Sequence, residues 1–299
     1  MSDAAERSSW DLSEGDAIAP GLIALDQIGG GSLYEAYLAW DEELFALVVA
    51  KVVRPGRAAE ERSLRELRDE AAMLAELAHP MIVRGFGAVL DGERPHLVIE
   101  HLEGPSLRRL LRQGGPLSAQ QLLPVALHLA GALAYLANRS VVHLDVKPDN
   151  VIVGVPPRLI DLSIARSLER AARSRGPLGT DAYMAPEQCG VGGSPAMGSA
   201  ADVWGLGATL HHCVTGERPF PRPDGAGDSR DPDLRFPQLS KDPGPLPDHL
   251  PTGLGPLIGS MLSRDPLRRP TAAAVADALE PMVAELPRKL TFSRRAARL

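Results

Sequence analysis

Apolar and polar residues between Leu22 and Glu100 are arranged as short β-type segments separated by turns. The segments are rich in β-branched and aromatic residues, and the turns carry Gly, Asp and Glu, which is typical of antiparallel strands. One stretch differs, because from Arg62 to Leu77 leucine and alanine recur every three or four residues and predict an amphipathic helix. The predicted strands span residues 22–28, 34–40, 44–53, 86–90 and 96–100.

Beyond residue 105 the apolar residues recur at helical spacing, so the second half of the chain is predicted to be mostly helical. Ser118, followed three residues later by Gln121, has the pattern of a capping box at a helix N-terminus. Residues 219–255 are rich in Pro, Gly and Asp and predict a long surface connection. The predicted helices span residues 107–113, 118–138, 254–262 and 272–286.

The composition is that of a soluble globular protein, with 44% hydrophobic and 23% charged residues in a chain of 299. A chain of this length can bury a large core and form either one long domain or two lobes. The net charge of −6 argues against nucleic acid as the main partner, because phosphate neutralisation needs a clustered basic surface. The two cysteines, Cys189 and Cys213, are too few for a disulfide framework.

Neither membrane insertion nor secretion is expected from the sequence. No run of about eighteen apolar residues is present. The polar N-terminus lacks the basic and apolar regions of a signal peptide. We therefore predict a cytoplasmic protein without integral membrane association.

Candidate chemistry is concentrated around a predicted hairpin, in which residues 151–153 and 158–160 are joined by a turn that contains Gly and Pro. Folding this hairpin brings Asn150 and Asp161 to neighbouring strand ends, with Asp145 just outside. A carboxylate and an amide oxygen suit magnesium together with substrate phosphate oxygens, and Lys147 can neutralise a phosphoryl group. The alternative is that these are turn-forming polar residues at a chance spacing.

Lys51 is the other conspicuous polar residue, because it lies inside an apolar predicted strand where an unpaired ammonium group would be costly. Glu70, near the middle of the predicted helix, can supply the partner. Alternatively, Lys51 extends to solvent from an edge strand.

A run of three glycines, Gly29 to Gly31, joins the first two predicted strands. Such a turn can present backbone N–H groups to a phosphate, or it can be a plain hairpin turn. The element that follows is a strand, and no Gly-Lys-Ser or Gly-Lys-Thr follows the glycines, so both the P-loop and the dinucleotide fingerprint are excluded.

The segment from His143 to Asn150, followed by Asp161, resembles the catalytic loop and metal-binding segment of eukaryotic-type protein kinases. Other blocks of that family follow in order, at residues 179–187, 202–207 and 265–271. The resemblance covers roughly residues 20–284. Within the family, the chain looks like a bacterial (Hanks-type) serine/threonine protein kinase in a short cytosolic form.

The resemblance implies an α+β, bilobal protein-kinase fold. The small lobe is expected to be a five-stranded antiparallel sheet with one main helix, and the larger lobe to be mostly helical. We expect a flexible segment over residues 1–18, a small lobe over 19–102, a large lobe over 103–285 and a basic, solvated tail over 286–299.

The same resemblance implies a role for each polar residue singled out above. Asp145 accepts or orients the proton of the attacking hydroxyl, and Lys147 and Lys51 balance phosphate charge. Glu70 holds Lys51 against the α- and β-phosphates of ATP. The residues expected to hold Mg²⁺, or alternatively Mn²⁺, are Asn150 and Asp161.

An ATP pocket and an anchored activation segment are implied as well. The backbone of Glu100 and Leu102 is expected to bind the adenine edge, and Ile99 to be the gatekeeper. Thr180 is expected to contact Lys147, Glu187 to pair with Arg269, and Asp202 to anchor the catalytic-loop backbone. The remaining residues of the expected ATP pocket are Ile28, Gly29, Gly31, Ala36, Val49, Lys51 and Ile152.

Three departures from the family pattern change this expectation. Tyr34 stands where the third glycine of the glycine-rich loop belongs, which puts close backbone approach to the phosphates in doubt at that position. The metal segment continues with Leu162 and Ser163 in place of Phe and Gly. Leu144 replaces the arginine that normally meets an activation-loop phosphate, as in non-RD kinases.

From the missing arginine we predict an activation segment that works without phosphorylation, although Ser167, Ser174 and Thr180 can still be modified. The function predicted is transfer of the γ-phosphoryl group of ATP to Ser/Thr hydroxyls of protein substrates, with autophosphorylation. Two alternatives stay open: a pseudokinase that serves as a nucleotide-binding signalling scaffold, and a small-molecule phosphotransferase of the aminoglycoside-kinase type. A homodimer is compatible with an active kinase and with a scaffold.

Overall fold

The computed structural model describes residues 8–192 and 195–287. The predictions for residues 1–7 and for the basic tail from residue 288 onward lie outside these ranges. The strands within them are β1 Ala17–Ala19, β2 Leu22–Gly30, β3 Tyr34–Asp41, β4 Ala46–Val53, β5 Gly85–Val89, β6 His96–Glu100, β7 Val141–Val142, β8 Val151–Ile152, β9 Arg158–Leu159 and β10 Arg166–Ser167. The helices are α1 Glu61–Glu76, α2 Leu107–Gly114, α3 Ala119–Asn138, α4 Leu168–Ala172, α5 Ser199–Thr215, α6 Pro232–Arg235, α7 Leu254–Met261 and α8 Ala272–Ala284.

The small lobe is an antiparallel sheet in the order β1-β2-β3-β4-β6-β5. All five predicted strands are present within about two residues of their expected bounds. The short strand β1 was not predicted, because three residues are too few for a pattern of alternation to be read from the sequence. The bilobal α+β fold expected from the resemblance is confirmed.

Alternation along β3 and β4 gives the sheet two different faces. Tyr37, Val48 and Val52 are buried on one face, in a small core beneath the N-terminal segment. Tyr34 and Val53 belong to the other core, which is continuous with helix α1 and the large lobe. Residues of β4 that lie two or four positions before Val53 share its face, so they lie on the cleft side of the sheet.

The N-terminal segment packs onto the sheet from residue 8 onward, so the prediction of a flexible segment over residues 1–18 is wrong for residues 8–18. Trp10 is 8% exposed, and its ring N–H donates to the carbonyl of Val53 at 2.7 Å. Its backbone N–H donates to Glu35 at 3.2 Å. The segment looks polar in sequence, and Trp10, Ile18 and the partly buried Leu12 provide the apolar area that anchors it.

Helix α1 presents a narrow buried stripe made of Ser63, Leu67, Glu70 and Leu74, which are spaced three or four residues apart. Glu70 lies within this stripe, although a glutamate on the apolar side of a helix is costly unless it is paired. The helix therefore points a carboxylate at the sheet, towards the cleft.

The large lobe is built on α3, α5 and α8, which pack against one another. Every residue of α5 from Ala201 to Val214 is buried. A side chain at Gly205 would lie 3.0 Å from the carbonyl oxygen of Val146, so the absence of one lets α5 lie directly against the loop that follows β7. Helix α5 is thus the platform for that loop.

Among the described residues, α3 is the helix that is long and apolar enough to cross a membrane. Half of its apolar window is buried within the fold, and it packs against α5 and α8. It therefore has the properties of a core helix. At its start the backbone N–H of Ser118 donates to Gln121 Oε1 at 3.0 Å, as the predicted capping box requires.

The connection over residues 219–255 is not only the surface loop that its composition predicts. It contains the short helix α6, and Phe220, Phe236 and Gln238 are buried. The side-chain amide of Gln238 donates to the carbonyls of Asp181 and Met184, at 2.8 and 3.1 Å. The connection therefore holds the backbone of residues 181–184 through these hydrogen bonds, which its Pro and Gly content did not indicate.

The packing of the N-terminal segment predicts that Trp10→Ala lowers the free energy of unfolding by about 3–5 kcal/mol, the usual range for truncating a buried tryptophan. Urea denaturation of the full chain measures this. Trp40→Ala is the matched control, because Trp40 is 36% exposed on the same sheet and should cost clearly less. Equal losses in the two variants would mean that the N-terminal segment does not contribute to the fold.

Candidate active site

The loop of residues 143–150 follows β7 and is held by a buried carboxylate on α5. Asp202 accepts the backbone N–H groups of His143 and Leu144, at 2.8 and 2.7 Å. Leu144 has a positive φ of 66°, a conformation that costs a non-glycine residue free energy and needs such support. The expected anchoring role of Asp202 thus corresponds to two hydrogen bonds.

Leu144 itself is buried in the core, with 3% exposure. The ring of His143 lies within hydrogen-bond distance, 3.2 Å, of the carbonyl of Ile160 next to Asp161. The loop is therefore fastened on one side to α5 and on the other to the backbone directly before Asp161.

Asp145, Lys147, Asn150 and Thr180 form one contact network. Lys147 Nζ donates to Asp145 Oδ2 and to Thr180 Oγ1, both at 2.6 Å. The Asn150 side-chain amide donates to the carbonyl and carboxylate of Asp145, at 2.9 and 3.1 Å. The backbone N–H of Thr180 donates to Asp145 Oδ1 at 3.1 Å. The Lys147–Thr180 contact expected from the sequence is present.

Lys51 lies between two carboxylates from distant parts of the chain. Its Nζ is 2.7 Å from Glu70 Oε1 on α1 and 3.0 Å from Asp161 Oδ1 beyond β9. The Lys51 and Glu70 side chains are 12% and 1% exposed. Lys51 is therefore not an edge-strand lysine that extends to solvent, since its ammonium group is buried and paired.

The charges in this cluster are fixed by their neighbours. Burial alone would lower the pKa of Lys51, but Glu70 and Asp161 outweigh it, and the pKa is raised above its usual value. Burial alone would raise the pKa of Asp161, but the ammonium group of Lys51 holds that pKa well below its usual range. At neutral pH the cleft thus carries an ionised Asp161 beside a charged Lys51.

The hairpin of β8 and β9 brings Asn150 and Asp161 together, as expected. Ile160 donates its N–H to the carbonyl of Asn150 at 2.9 Å, so the residues on either side of the strand pair are neighbours. Because the Asn150 amide nitrogen is used by Asp145, its amide oxygen is the atom left for a cation.

This donor set fits magnesium. The described residues contain no cluster of three or more His, Cys, Asp or Glu side chains with metal-binding geometry. Mg²⁺ in phosphate-transfer sites does not need such a cluster, because it is held by one or two protein oxygens together with phosphate oxygens and water. An ionised carboxylate and an adjacent amide oxygen meet that requirement.

Three of the residues expected to contact the nucleotide, Ala36, Val49 and Ile99, lie on the cleft side of the small lobe. Ala36 is opposite Lys51 in the β3–β4 ladder, and Val49 is opposite Ile99 in the β4–β6 ladder. Side chains of directly opposite residues share a face, so these residues lie on the same side as the ammonium group of Lys51. Ile28 is 51% exposed at the end of β2.

The glycine-rich loop is open at Gly29 and Gly31, where a Cβ would meet nothing within 4 Å. Arg54 Nε donates to the carbonyl of Gly31 at 2.6 Å, and Arg54 also pairs with the buried Glu35 at 2.9 Å. This arginine, which follows β4, was not singled out in the sequence. It fastens the loop while leaving open space at Gly29 and Gly31.

A cavity of about 560 Å³ adjoins the hinge between the lobes. Its lining includes Glu100, Leu102 and Ile152 of the expected nucleotide pocket, together with Val155 and Arg158 of the β8–β9 hairpin. Neither Lys51 nor Asp161 is part of the lining. The cavity therefore lies between the hinge and the β8–β9 hairpin, away from the phosphate end of the cleft.

The activation segment, residues 161–187, is anchored at both ends. Glu187 and Arg269 form a fully buried double ion pair, with N–O distances of 2.6 and 2.9 Å, as expected from the sequence. Near its start, β10 pairs with β7. In its middle, Arg170 forms an ion pair with Asp69 of α1.

Gln188 is a second residue that the sequence did not single out. Its amide nitrogen donates to the carbonyls of Leu144 and Leu178, at 2.8 and 2.7 Å. It thus joins the catalytic loop to the activation segment from a buried position. The only signal in the sequence was its place directly after Glu187, but a lone glutamine carries no pattern that reveals such a contact.

Two lobes, a cleft with a lysine paired to a helix glutamate, and a loop held by Asp202 together define the protein kinase class of fold. A family model described as the protein kinase domain matches residues 22–279. The chain therefore belongs to the protein kinase family.

Several bacterial kinases and a plant kinase are similar to this chain. Serine/threonine-protein kinase PkaA of Streptomyces coelicolor is 35% identical over 80% of this chain and 43% of its own length. Serine/threonine-protein kinase PknB of Mycobacterium leprae is 30% identical over 65% of this chain and 32% of its own. Mitogen-activated protein kinase kinase kinase 3 of Arabidopsis thaliana is 28% identical over 84% of this chain and 41% of its own length. The chain spans less than half the length of these relatives.

The buried pair of Glu187 and Arg269 predicts that Glu187→Ala destabilises the protein by about 3–5 kcal/mol, because a buried guanidinium would be left without its partner. Urea denaturation measures the loss. The control is Glu169→Ala, which removes an exposed ion pair with Arg173 in the same segment and should cost little. If Glu187→Ala were no more harmful than this control, the pair would not anchor the segment.

Proposed function

We propose that the chain transfers the γ-phosphoryl group of ATP to Ser and Thr hydroxyls of protein substrates. The observation that carries this proposal is the convergence of two charge networks on one cleft. In the first, Lys51 bridges Glu70 and Asp161. In the second, Lys147 bridges Asp145 and Thr180. One network is suited to holding the phosphates and the other to handling the attacking hydroxyl.

ATP and Mg²⁺ supply the activated phosphoryl group and neutralise its charge when they are bound. Lys51 is placed to contact the inner phosphates, with Glu70 fixing the position of its ammonium group. Asp161 and Asn150 are the residues that would hold the metal, and Mn²⁺ would suit the same oxygen ligands. Glu100 and Leu102 would present backbone groups to the base, beside Ile99.

Asp145 has the geometry of the group that receives the hydroxyl proton. Its carboxylate already accepts hydrogen bonds from Lys147, Asn150 and Thr180, which fixes its orientation. A substrate hydroxyl that takes the place of one of these donors would be oriented towards the phosphoryl group. Positioning and charge balance, rather than covalent chemistry, are then the main contributions of the protein.

The acceptor class follows from the position of Lys147 and Thr180. A lysine two residues after Asp145, bonded to a threonine oxygen at 2.6 Å, supports Ser and Thr hydroxyls as the acceptors. Autophosphorylation belongs to the same proposal, with Ser167 and Ser174 as exposed and partly exposed acceptors in the activation segment.

The two alternatives have less support. A pseudokinase scaffold would not need both charge networks to be complete, and the names of the relatives give it no support. A small-molecule phosphotransferase would not need the Glu187–Arg269 pair or the Lys147–Thr180 contact. Both alternatives predict no transfer to protein.

We propose a cytoplasmic protein that acts on other proteins, without nucleic acid and without integral membrane association. Homodimerisation stays a prediction, and the exposed apolar residues Trp40, Leu44, Phe45 and Leu47 of the β3–β4 hairpin are the surface on which to look for it.

Asp145→Asn is expected to lower phosphoryl transfer by roughly a hundredfold or more, because positioned acid–base groups contribute about 10²–10⁴ in rate. The measurement is incorporation of label from γ-labelled ATP, in the presence of Mg²⁺, into protein substrate and into the chain itself. ATP binding, followed by thermal shift, should persist. Asp149→Asn is the matched control, since Asp149 is an exposed carboxylate in the same loop.

Three outcomes separate the candidate functions. Transfer to protein that depends on Asp145 supports the proposal. ATP binding without Asp145-dependent transfer would support the scaffold. Transfer only to a small molecule, with none to protein, would support the third function.

We also expect the unphosphorylated chain to be active. Leu144 supplies no cation for an activation-loop phosphate, and the segment is already held by the Glu187–Arg269 and Arg170–Asp69 ion pairs. The Ser167→Ala, Ser174→Ala double variant, treated with phosphatase, should keep at least about half of the wild-type rate. A chain that stays inactive until one of Ser167, Ser174 or Thr180 is phosphorylated would contradict this.

A further inference from the structure

Tyr34 occupies a position in the glycine-rich loop where a side chain is not expected. It is the first residue of β3 and is 8% exposed. It belongs to the core that also contains Val53 of β4 and Leu67 of α1. Its side chain is therefore turned inward, beneath the loop, on the face of the sheet that also carries Lys51.

Strand register places Tyr34 diagonally next to Lys51. Tyr34 is opposite Val53, and Ala36 is opposite Lys51. Residues two apart along a strand share a face, and diagonal neighbours lie within reach of an aromatic side chain. The Lys51 Nζ atom lies 5.0 Å from the centroid of the Tyr34 ring.

This contact adds a third partner to the ammonium group of Lys51. Glu70 and Asp161 bind it through oxygen atoms, and the aromatic ring meets it through its π-face. A cation over an aromatic face is stabilised most when water is excluded, and Lys51 is only 12% exposed. With glycine at this position, as in the family pattern, the same side of the Lys51–Glu70 pair would have no ring against it.

The ring rather than the hydroxyl of Tyr34 makes these contacts. The hydroxyl oxygen is buried and has no hydrogen-bond partner among the described residues. Burial, followed by the negative charge of Glu70, raises the pKa of this hydroxyl. Tyr34 is therefore neutral at physiological pH and does not compete with Glu70 and Asp161 for the lysine.

We propose that Tyr34 is a positioning residue, which holds Lys51 against Glu70, and thereby helix α1 against the sheet, without help from an activation-segment phosphate. Its contact with Lys51 would offset the absence of a phosphate-binding arginine where Leu144 stands. Both the ring and an arginine-bound phosphate would act on the pairing of Lys51 with Glu70. The inference rests on the proposed kinase function for its kinetic consequences only. Its structural consequence, the docking of α1, does not depend on catalysis.

Tyr34→Leu removes the aromatic face and keeps an apolar side chain. We expect kcat for protein phosphorylation to fall by about tenfold, within the range that loss of a desolvated cation–π contact allows. The KM for ATP should change by less than about threefold, because the hinge contacts with the base are untouched. Tyr34→Met, closer in volume to tyrosine, replaces Tyr34→Leu if that variant does not fold.

Tyr34→Phe is the conservative variant. It removes a buried hydroxyl that has no partner, so its stability and its kcat should match those of the wild type. Val48→Ala is the matched control for a weakened sheet. Val48 is fully buried on β4 but belongs to the opposite core, so it destabilises the small lobe without reaching Lys51.

Hydrogen exchange over α1 provides the readout that does not require activity. Tyr34→Leu should speed amide exchange across residues 61–76 by about tenfold, while Tyr34→Phe and Val48→Ala should leave it within about twofold of wild type. If the wild-type chain transfers no phosphate but α1 loosens as stated, the proposed function fails and the positioning role of Tyr34 stands.

Three results would overturn the positioning role. The first is unchanged exchange in α1 in Tyr34→Leu. The second is a fall in kcat in Tyr34→Phe as large as in Tyr34→Leu, because the hydroxyl would then be the active group. The third is an equal loss of kcat in Val48→Ala, because general weakening of the sheet would then explain the effect.

Discussion

A single ammonium group, placed between two carboxylates, ties the two lobes together. Lys51 belongs to the sheet and Glu70 to α1. Asp161 lies 110 residues after Lys51, beyond the β8–β9 hairpin. A charge in this poorly solvated cleft is tolerable only if its partners are in place, and removing one partner leaves an uncompensated buried charge. The sheet, the helix and the large lobe must therefore come together in one arrangement. The ring of Tyr34 covers the same ammonium group from the glycine-rich loop.

The large lobe uses the same principle to hold irregular backbone. Asp202 fixes the start of the catalytic loop and permits the left-handed conformation of Leu144. Gln188 joins this loop to the activation segment, and the buried pair of Glu187 and Arg269 holds the far end of that segment. Each buried polar group satisfies several backbone or side-chain partners, so these loops are fixed by the fold around them. This accounts for an ordered activation segment in a chain whose catalytic loop has no arginine for a phosphate.

Regular elements and the motifs of the candidate site were predictable because their signals are local. Strand alternation, helical spacing, the capping box at Ser118 and the hairpin before Asp161 each appear within a few consecutive residues, and all are present in the structure. The packed N-terminal segment was missed because one buried aromatic residue, Trp10, has no periodicity. The buried residues of 219–255 were missed because composition rich in Pro and Gly describes the average of a stretch and not its few anchoring side chains.

The order and spacing of polar residues by themselves determined the family resemblance and the set of candidate site residues, because the family's motif blocks are defined by residue type and spacing along the chain. The sequence also identified Tyr34 and Leu144 as departures. Only the tertiary structure decided what those departures do. The direction of the Tyr34 ring, the burial of Leu144, and the contacts of Arg54 and Gln188 depend on which surfaces meet after folding. Such contacts join residues that are distant in the chain, and no local pattern specifies them.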